Sequence, residues 1–271
     1  MPAGRDSSPA PATAVPGRGF RGRWASWHDR FVVEERFVAP AARRRLYATA
    51  VALVVVGLVA FVLLLVAVLT RSGFEQLDRP VEQWFNAQRS GDATRVMTVL
   101  AIVFGPIGMP IIVLIALVAW IVLARHVWRP VLLLAGMVTG VVLAQVLAPI
   151  VRHPRPPLGQ MLLEPDRTYS FPSGHVLGMS DFFLLVAFLF ASRIGRRWFT
   201  VVAFAIAGAC IVAQVVSRLY LGYHWLTDVS ASVALSLVVV GTVIAIDTRR
   251  TARVRGEPIE GGYSVRQTEG T

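Results

Sequence analysis

Three short polar segments interrupt an otherwise apolar chain, and they contain the residue types that phosphoryl transfer requires. The segments are residues 152–156, 172–175 and 217–228. The first and third contain Arg155 and Arg218. A guanidinium group is planar and always charged, so it can bind two phosphate oxygens at once. These two arginines are therefore candidate phosphate ligands.

The second segment predicts the start of a helix that can bind an anion. Ser173 precedes a long apolar run and is a favoured N-cap residue, which places Gly174 and His175 in the first turn. The first turn of a helix has free backbone N–H groups and the positive end of the helix dipole. Gly174 lets a ligand approach this backbone closely. Ser173 and Gly174 are therefore further phosphate-binding candidates.

The third segment ends in two residues that form a candidate nucleophile. His224 and Asp228 are four residues apart, which predicts one shared face of a helix. The carboxylate can then hold one imidazole nitrogen as N–H and leave the other free to attack phosphorus. His175 is left to protonate the departing oxygen.

Hydropathy predicts that membrane helices position these segments. The 271 residues are 55% hydrophobic, and the mean hydropathy is +0.60. Uncharged runs of about 20 residues match the thickness of a bilayer. Between the first two spans, the mixed composition of residues 71–96 predicts a short amphipathic surface helix. We predict six spans: 46–70, 97–124, 130–151, 174–192, 198–217 and 225–246.

The basic residues predict the orientation of these spans. All 27 are arginine, and many flank apolar runs. With the N-terminus inside, the inner segments contain 19 arginines and the outer segments 8. This bias predicts a plasma-membrane protein with both termini cytoplasmic and the polar segments outside. Nucleic-acid binding is the weaker interpretation of the +11 net charge.

Composition also divides the chain into three parts. Residues 1–45 are predicted to be a cytoplasmic tail that is disordered at first. Residues 20–38 are predicted to be either an interfacial amphipathic helix or a continuation of the unstructured tail with scattered aromatic residues. Residues 46–248 form the membrane domain, and residues 249–271 a disordered cytoplasmic tail. The single cysteine, Cys210, and the lack of zinc-type spacing predict neither a disulfide nor a metal site.

The motifs resemble those of the type 2 phosphatidic acid phosphatase (PAP2) superfamily, specifically its bacterial membrane lipid phosphatases. Residues 172–175 match its Pro-Ser-Gly-His motif, and residues 217–228 match its Ser-Arg-x5-His-x3-Asp motif. The resemblance implies an all-α membrane protein with six spans and the catalytic site at the outer ends of helices 3–6. It also implies a phosphohistidine on His224, without metal or other cofactor.

The first family motif, Lys-x6-Arg-Pro, is matched only in part. Arg155 and Pro156 fit it, but Ala148 occupies the lysine position, and the chain has no lysine. Arg152 lies one helical turn beyond Ala148, so it is a further phosphate-binding candidate that could replace the missing cation.

The leading hypothesis is therefore hydrolysis of a lipid phosphate or diphosphate in the membrane. One alternative is phosphotransfer, in which an acceptor hydroxyl replaces water at the same intermediate. Another is a non-catalytic lipid-binding relative, for which Ala148 is the only support. The sequence leaves the lipid and the oligomeric state open.

Overall fold

The computed structural model describes residues 33–123, 127–257 and 264–266, and this part of the chain is mostly helical. Its helices are α1 (Pro40–Thr70), α2 (Asp78–Ala87), α3 (Gly91–Val103), α4 (Gly108–Leu123), α5 (Trp128–Val151), α6 (Gly174–Ile194), α7 (Arg197–Tyr220) and α8 (Leu226–Thr251). Short 3-10 turns cover Gly73–Leu77 and Leu158–Gln160. The strands are β1 (Val33–Phe37), β2 (Ala252–Arg253) and β3 (Ser264–Arg266).

Five of the described helices, α1 and α5 to α8, are long and apolar enough to cross a membrane. Each lies within a few residues of a predicted span. The predicted span 97–124 is instead two helices, α3 and α4, bent by 54° at a short break. Gly105 and Pro106 lie in this break, and proline cannot donate the backbone hydrogen bond of a continuous helix. Counting the bent pair as one span gives six.

Helices α6 and α8 form the centre of the bundle, while α1, α5 and α7 expose apolar side chains outward. Helices α1 and α8 are antiparallel and pack very closely at two glycines. A Cβ atom at Gly57 would lie 2.5 Å from the carbonyl oxygen of Ala234, and one at Gly241 would lie 2.7 Å from that of Ala50. Small residues allow such backbone contact between membrane helices.

The segments that flank the bundle form a small parallel sheet, with strand order β2-β1-β3. Glu35 of β1 is buried and pairs with Arg250 and Arg253. The all-α prediction therefore describes the membrane part but not these flanking strands. Most of the predicted interfacial helix over 20–38 lies outside the described residues, and its described end is β1.

Helix α2 packs against the end of α7 and the start of α8. It lies within residues 71–96, the segment predicted to form an amphipathic surface helix. Both carboxylate oxygens of Asp78 accept hydrogen bonds from Thr227, from its amide at 2.9 Å and from its hydroxyl at 2.6 Å. Arg89, just after α2, donates to the carbonyl oxygens of Gln160 and Tyr220. These bonds attach residues 78–89 to the loops that carry the polar motifs.

The turn between α7 and α8 requires a glycine. Gly222 has φ 77°, and a Cβ atom there would lie 2.5 Å from the carbonyl oxygen of Gln160. Only glycine adopts this backbone conformation readily and tolerates such a contact. The turn sends the chain back into the bundle immediately before His224.

Candidate active site

The structure brings the ends of four helices together, and most of the predicted site residues lie there. Nη1 of Arg155, which follows α5, lies 3.2 Å from Nε2 of His224, and Nδ1 of His224 lies 3.6 Å from Asp228. The remaining members lie at the start of α6 and in the last turn of α7: Ser173, Gly174, His175 and Arg218.

His224 is buried and held in one tautomer by its neighbours. Its Nδ1 lies 2.9 Å from the carbonyl oxygen of Ser170, which can only accept a hydrogen bond. Nδ1 is therefore assigned the proton. Nε2 then presents a lone pair, and Arg155 donates to it. The arrangement leaves a nucleophilic nitrogen beside a guanidinium group.

The pKa of His224 is lowered to about 4, chiefly by burial. The positive charges of Arg155 and Arg218 lower this pKa further, while the Asp228 carboxylate opposes the shift. His224 is consequently neutral near pH 7, which is the form that can attack phosphorus.

Asp228 is fully buried and accepts hydrogen bonds from three segments. Oδ1 lies 2.8 Å from Nδ1 of His153, and Oδ2 accepts from the Trp225 amide at 2.8 Å and from the Ser170 hydroxyl. His224 precedes α8, so the pair does not share a helical face as predicted. The N-terminal turn of α8 brings the two side chains close, while the Ser170 carbonyl provides the closest partner of Nδ1.

Arg155 is held by its own loop and by the turn between α7 and α8. Its Nη1 donates to the carbonyl oxygen of Tyr223 at 2.8 Å, and its Nη2 pairs with Asp166 at 2.8 Å. Thr168 accepts two more hydrogen bonds from the same guanidinium group. Burial lowers the pKa of Arg155, and the Asp166 carboxylate opposes that shift. A carboxylate thus occupies one edge of the guanidinium group that phosphate would use.

Two other site residues have buried donors that no described residue satisfies, namely Nε of Arg218 and Oγ of Ser173. The Arg218 guanidinium lies 4.5 Å from the centre of the Tyr223 ring. Ser173 is the N-cap residue of α6, as predicted, but its hydroxyl makes no capping bond. Gly174 is exposed at the same helix end. Unpaired donors beside a helix N-terminus are suited to an anion.

His175 is half-buried in the first turn of α6. It interacts electrostatically with Arg218, His224 and Arg155, so it belongs to the same cluster. A Cβ atom on Gly105 would lie 3.4 Å from its Nε2, which places the break between α3 and α4 against this ring.

Arg152 is the candidate that the structure does not bring into the described cluster. It follows α5 in a left-handed conformation with φ 54°, and its side chain is exposed. Its Nε donates back to the carbonyl oxygen of Pro149 at 3.0 Å. Ala148, four residues earlier, occupies the position of the family lysine and carries no charge.

Sequence reasoning missed the residues that surround Asp228 and Arg155. His153 and Ser170 contact Asp228, and Asp166 pairs with Arg155. His153 lies inside the first polar segment, so its position was a usable signal. Among the described residues, Glu75, Asp78 and His153 have ligand atoms within 4.8 Å of one another, close enough to hold a cation.

The chain is similar to known proteins over the region that contains these helices. Residues 129–252 match the model of the PAP2 superfamily. Over these residues the chain is similar to the PAP2 superfamily. The match covers α5 to α8 and therefore every predicted site residue.

Individual relatives extend the match beyond that region. The chain is 28% identical to phosphatidylglycerophosphatase B of Bacillus subtilis (strain 168) over 142 residues, which cover 52% of this chain and 68% of the relative. The crystal structure of a transmembrane PAP2-type phosphatidylglycerolphosphate phosphatase from Bacillus subtilis matches with a TM-score of 0.65 and 21% identity. That match covers 72% of this chain and 96% of the relative. Aquifex aeolicus LpxE matches with a TM-score of 0.51 and 18% identity, over 63% and 95% of the two chains.

The first prediction concerns the charge state of His224. Because its pKa is lowered to about 4, it should stay neutral from pH 8 down to about pH 5 and gain a proton only below that. NMR of the protein labelled with ¹³C at histidine Cε1 can follow this titration, with His224→Ala identifying the resonance. A midpoint near the ordinary value of 6.5 would contradict the burial argument.

The second prediction concerns the missing lysine. Since Arg152 is exposed and bonded to Pro149, Arg152→Ala should change kcat less than about threefold. Ala148→Lys adds a cation near phosphate, and a charge-assisted hydrogen bond contributes about 1.5–3 kcal/mol, so kcat/KM should rise roughly tenfold or more. Steady-state phosphate release measures both effects. Severe loss in Arg152→Ala would instead mean that Arg152 moves into the site when substrate binds.

Proposed function

We propose that this protein is a membrane enzyme that hydrolyses a lipid phosphate or diphosphate through a phosphohistidine on His224. The observation that supports this most directly is the unprotonated Nε2 of a neutral, buried imidazole, which accepts a hydrogen bond from the guanidinium of Arg155. Arg218 and Ser173 add buried hydrogen-bond donors that no described residue satisfies and that a phosphate could use.

The mechanism follows from the positions of these groups. Nε2 of His224 attacks phosphorus, an N–P bond forms, and the P–O bond to the lipid breaks. His175 donates a proton to the departing oxygen. Arg155, Arg218, the Ser173 hydroxyl and the backbone at Gly174 bind the phosphoryl oxygens, where charge develops. Water then attacks phosphorus and gives a proton to His175; the N–P bond breaks, inorganic phosphate leaves, and neutral His224 is restored.

Asp228 supports the charged intermediate in this proposal. When Nε2 gains a phosphoryl group, the imidazole ring becomes positive while Nδ1–H still donates to Ser170. A carboxylate 3.6 Å away stabilises that positive charge at the moment it forms. None of these steps uses a metal or another cofactor.

A lipid substrate is supported by the location of the site and by the relatives. The reacting groups lie at helix ends, directly beyond helices whose outer faces expose apolar side chains. A lipid can keep its chains in the bilayer while its headgroup reaches these helix ends. The two Bacillus subtilis matches are named as phosphatases of phosphatidylglycerophosphate, which makes this lipid the first substrate to test.

The proposal includes six spans, with the bent pair α3 and α4 counted as one, and a site at the outer ends of the spans containing α5 to α8. The arginine bias of 19 to 8 supports cytoplasmic termini and an outward-facing site.

The third prediction tests the nucleophile. His224→Ala should abolish phosphate release in the presence of a chelator, without changing the melting temperature in detergent by more than a few degrees. The Asp228→Asn substitution keeps the shape of the side chain but removes its negative charge. Since the Ser170 carbonyl still holds Nδ1–H, we expect kcat to fall about 10²–10³-fold, as when one stabilising group is lost.

Asp92→Asn is a matched control, because the Asp92 side chain is 95% exposed on α3. It should retain parental kcat. Substrates should include phosphatidylglycerophosphate, phosphatidate and a polyprenyl diphosphate. Undiminished turnover by His224→Ala would exclude the phosphohistidine on His224.

The fourth prediction tests the orientation. In a background with Cys210→Ala, a cysteine at Glu164 should react with a membrane-impermeant maleimide added to intact cells. A cysteine at Arg196 should react only after the membrane is opened. Both positions are exposed, so access to the reagent and not burial decides the result. The reverse labelling pattern would place the site in the cytoplasm.

A further inference from the structure

His153 is a buried histidine that the proposed mechanism does not use. It follows α5 in the first polar segment, and only 8% of its surface is exposed. Its Nδ1 lies 2.8 Å from Oδ1 of Asp228, whereas Nδ1 of His224 is 3.6 Å from Oδ2. Since a carboxylate accepts, Nδ1 of His153 is the donor. The closest imidazole partner of Asp228 is therefore His153.

Two further carboxylates approach the same ring. One oxygen each of Glu75 and Asp78 lies within 4.8 Å of a ring nitrogen of His153. Asp78 is buried and held by both hydrogen-bond donors of Thr227, the residue before Asp228. Burial raises the pKa of Asp78 to about 6; the charge of Asp228 adds to the shift, and His153 opposes it.

Three carboxyl groups from different elements surround the His153 ring. Glu75 faces it from the turn before α2, Asp78 from α2 and Asp228 from α8. In the described residues, no arginine forms an ion pair with Glu75 or Asp78. Thr227 already donates to Asp78, and His153 is the further polar side chain that both of these carboxylates approach.

We propose that His153 is a positioning residue for the lipid phosphatase reaction. It holds the Asp228 carboxylate through Nδ1, and Asp78 and Glu75 hold the His153 ring. The inference rests on the proposed function, in which Asp228 must remain near His224 while the His224 ring becomes positively charged. It assigns a catalytic contribution to Asp78 and Glu75, which precede the part of the chain matched by the family model.

A positioning role predicts a particular kinetic signature. In the structure, the hydrogen bond of His153 goes to Asp228 and not to the phosphate-binding groups. His153→Ala should therefore lower kcat and leave KM within about threefold. Misplacing a group in the reacting geometry can cost about 100-fold, so we expect a 10–100-fold loss in kcat.

The conservative variant separates positioning from folding. In His153→Asn the side-chain amide can replace the Nδ1 donor to Asp228, so kcat should recover to within about fivefold of the parent. His153→Gln extends the amide beyond this position and should recover less. If His153→Ala does not fold, the Asn and Gln pair still tests the inference. Equal kcat in these two folded variants would overturn it.

Asp78 tests the second half of the proposal. Asp78→Asn keeps an acceptor for Thr227 but removes the charge, and it should lower kcat severalfold. Combined with His153→Ala, it should cause little further loss, because both changes act through one ring. Independent, multiplicative losses would show that Asp78 does not act through His153. Asp92→Asn again provides the exposed control.

Two measurements separate this inference from the alternatives. If the parent protein releases no phosphate from any lipid tested, the proposed function fails. Parental kcat in His153→Ala, with a parent that is active, refutes only the positioning role. EDTA should leave the kcat of the parent unchanged. A loss with EDTA that Zn²⁺ or Mg²⁺ restores would identify Glu75, Asp78 and His153 as a metal site and overturn the inference.

Discussion

A carboxylate without access to water must be surrounded by hydrogen-bond donors, and this requirement organises the site around Asp228. The donors come from the loop after α5, the loop before α6 and the first turn of α8: His153, Ser170 and Trp225. Losing one partner of a buried charge costs more than losing a surface contact. The three segments therefore depend on one another, and His224 is held where they meet, by the Ser170 carbonyl.

The remaining groups of the site have the opposite need, because they are hydrogen-bond donors without acceptors. Arg218 and Ser173 have buried donors without described partners, and the N-terminus of α6 adds a positive dipole end. Arg155 is partly neutralised by Asp166, so a phosphate that binds its full guanidinium edge must compete with this carboxylate. The site is thus shaped for an anion, and no substrate is needed to arrange the protein groups beforehand. Such preorganisation is the usual source of electrostatic catalysis.

The membrane explains why the chemistry lies at helix ends. Backbone groups inside a bilayer must be satisfied within each segment, which leaves free N–H groups only where helices begin. Helix α2 supports those ends, since Asp78 binds both donors of Thr227. Residues outside the region matched by the family model therefore contribute to the geometry of the site.

The sequence alone determined the apolar spans, the PAP2 motifs and which side chains could bind phosphate, because hydropathy and motif spacing are local properties. It also located Ser173 as the N-cap of α6. It misread how His224 and Asp228 meet, since their spacing suits a helix that in fact begins after His224. Contacts such as Asp78 with Thr227, 149 residues apart, could not be read from the chain. Only the tertiary structure decided them, because the partner of a buried charge depends on which helix ends pack together.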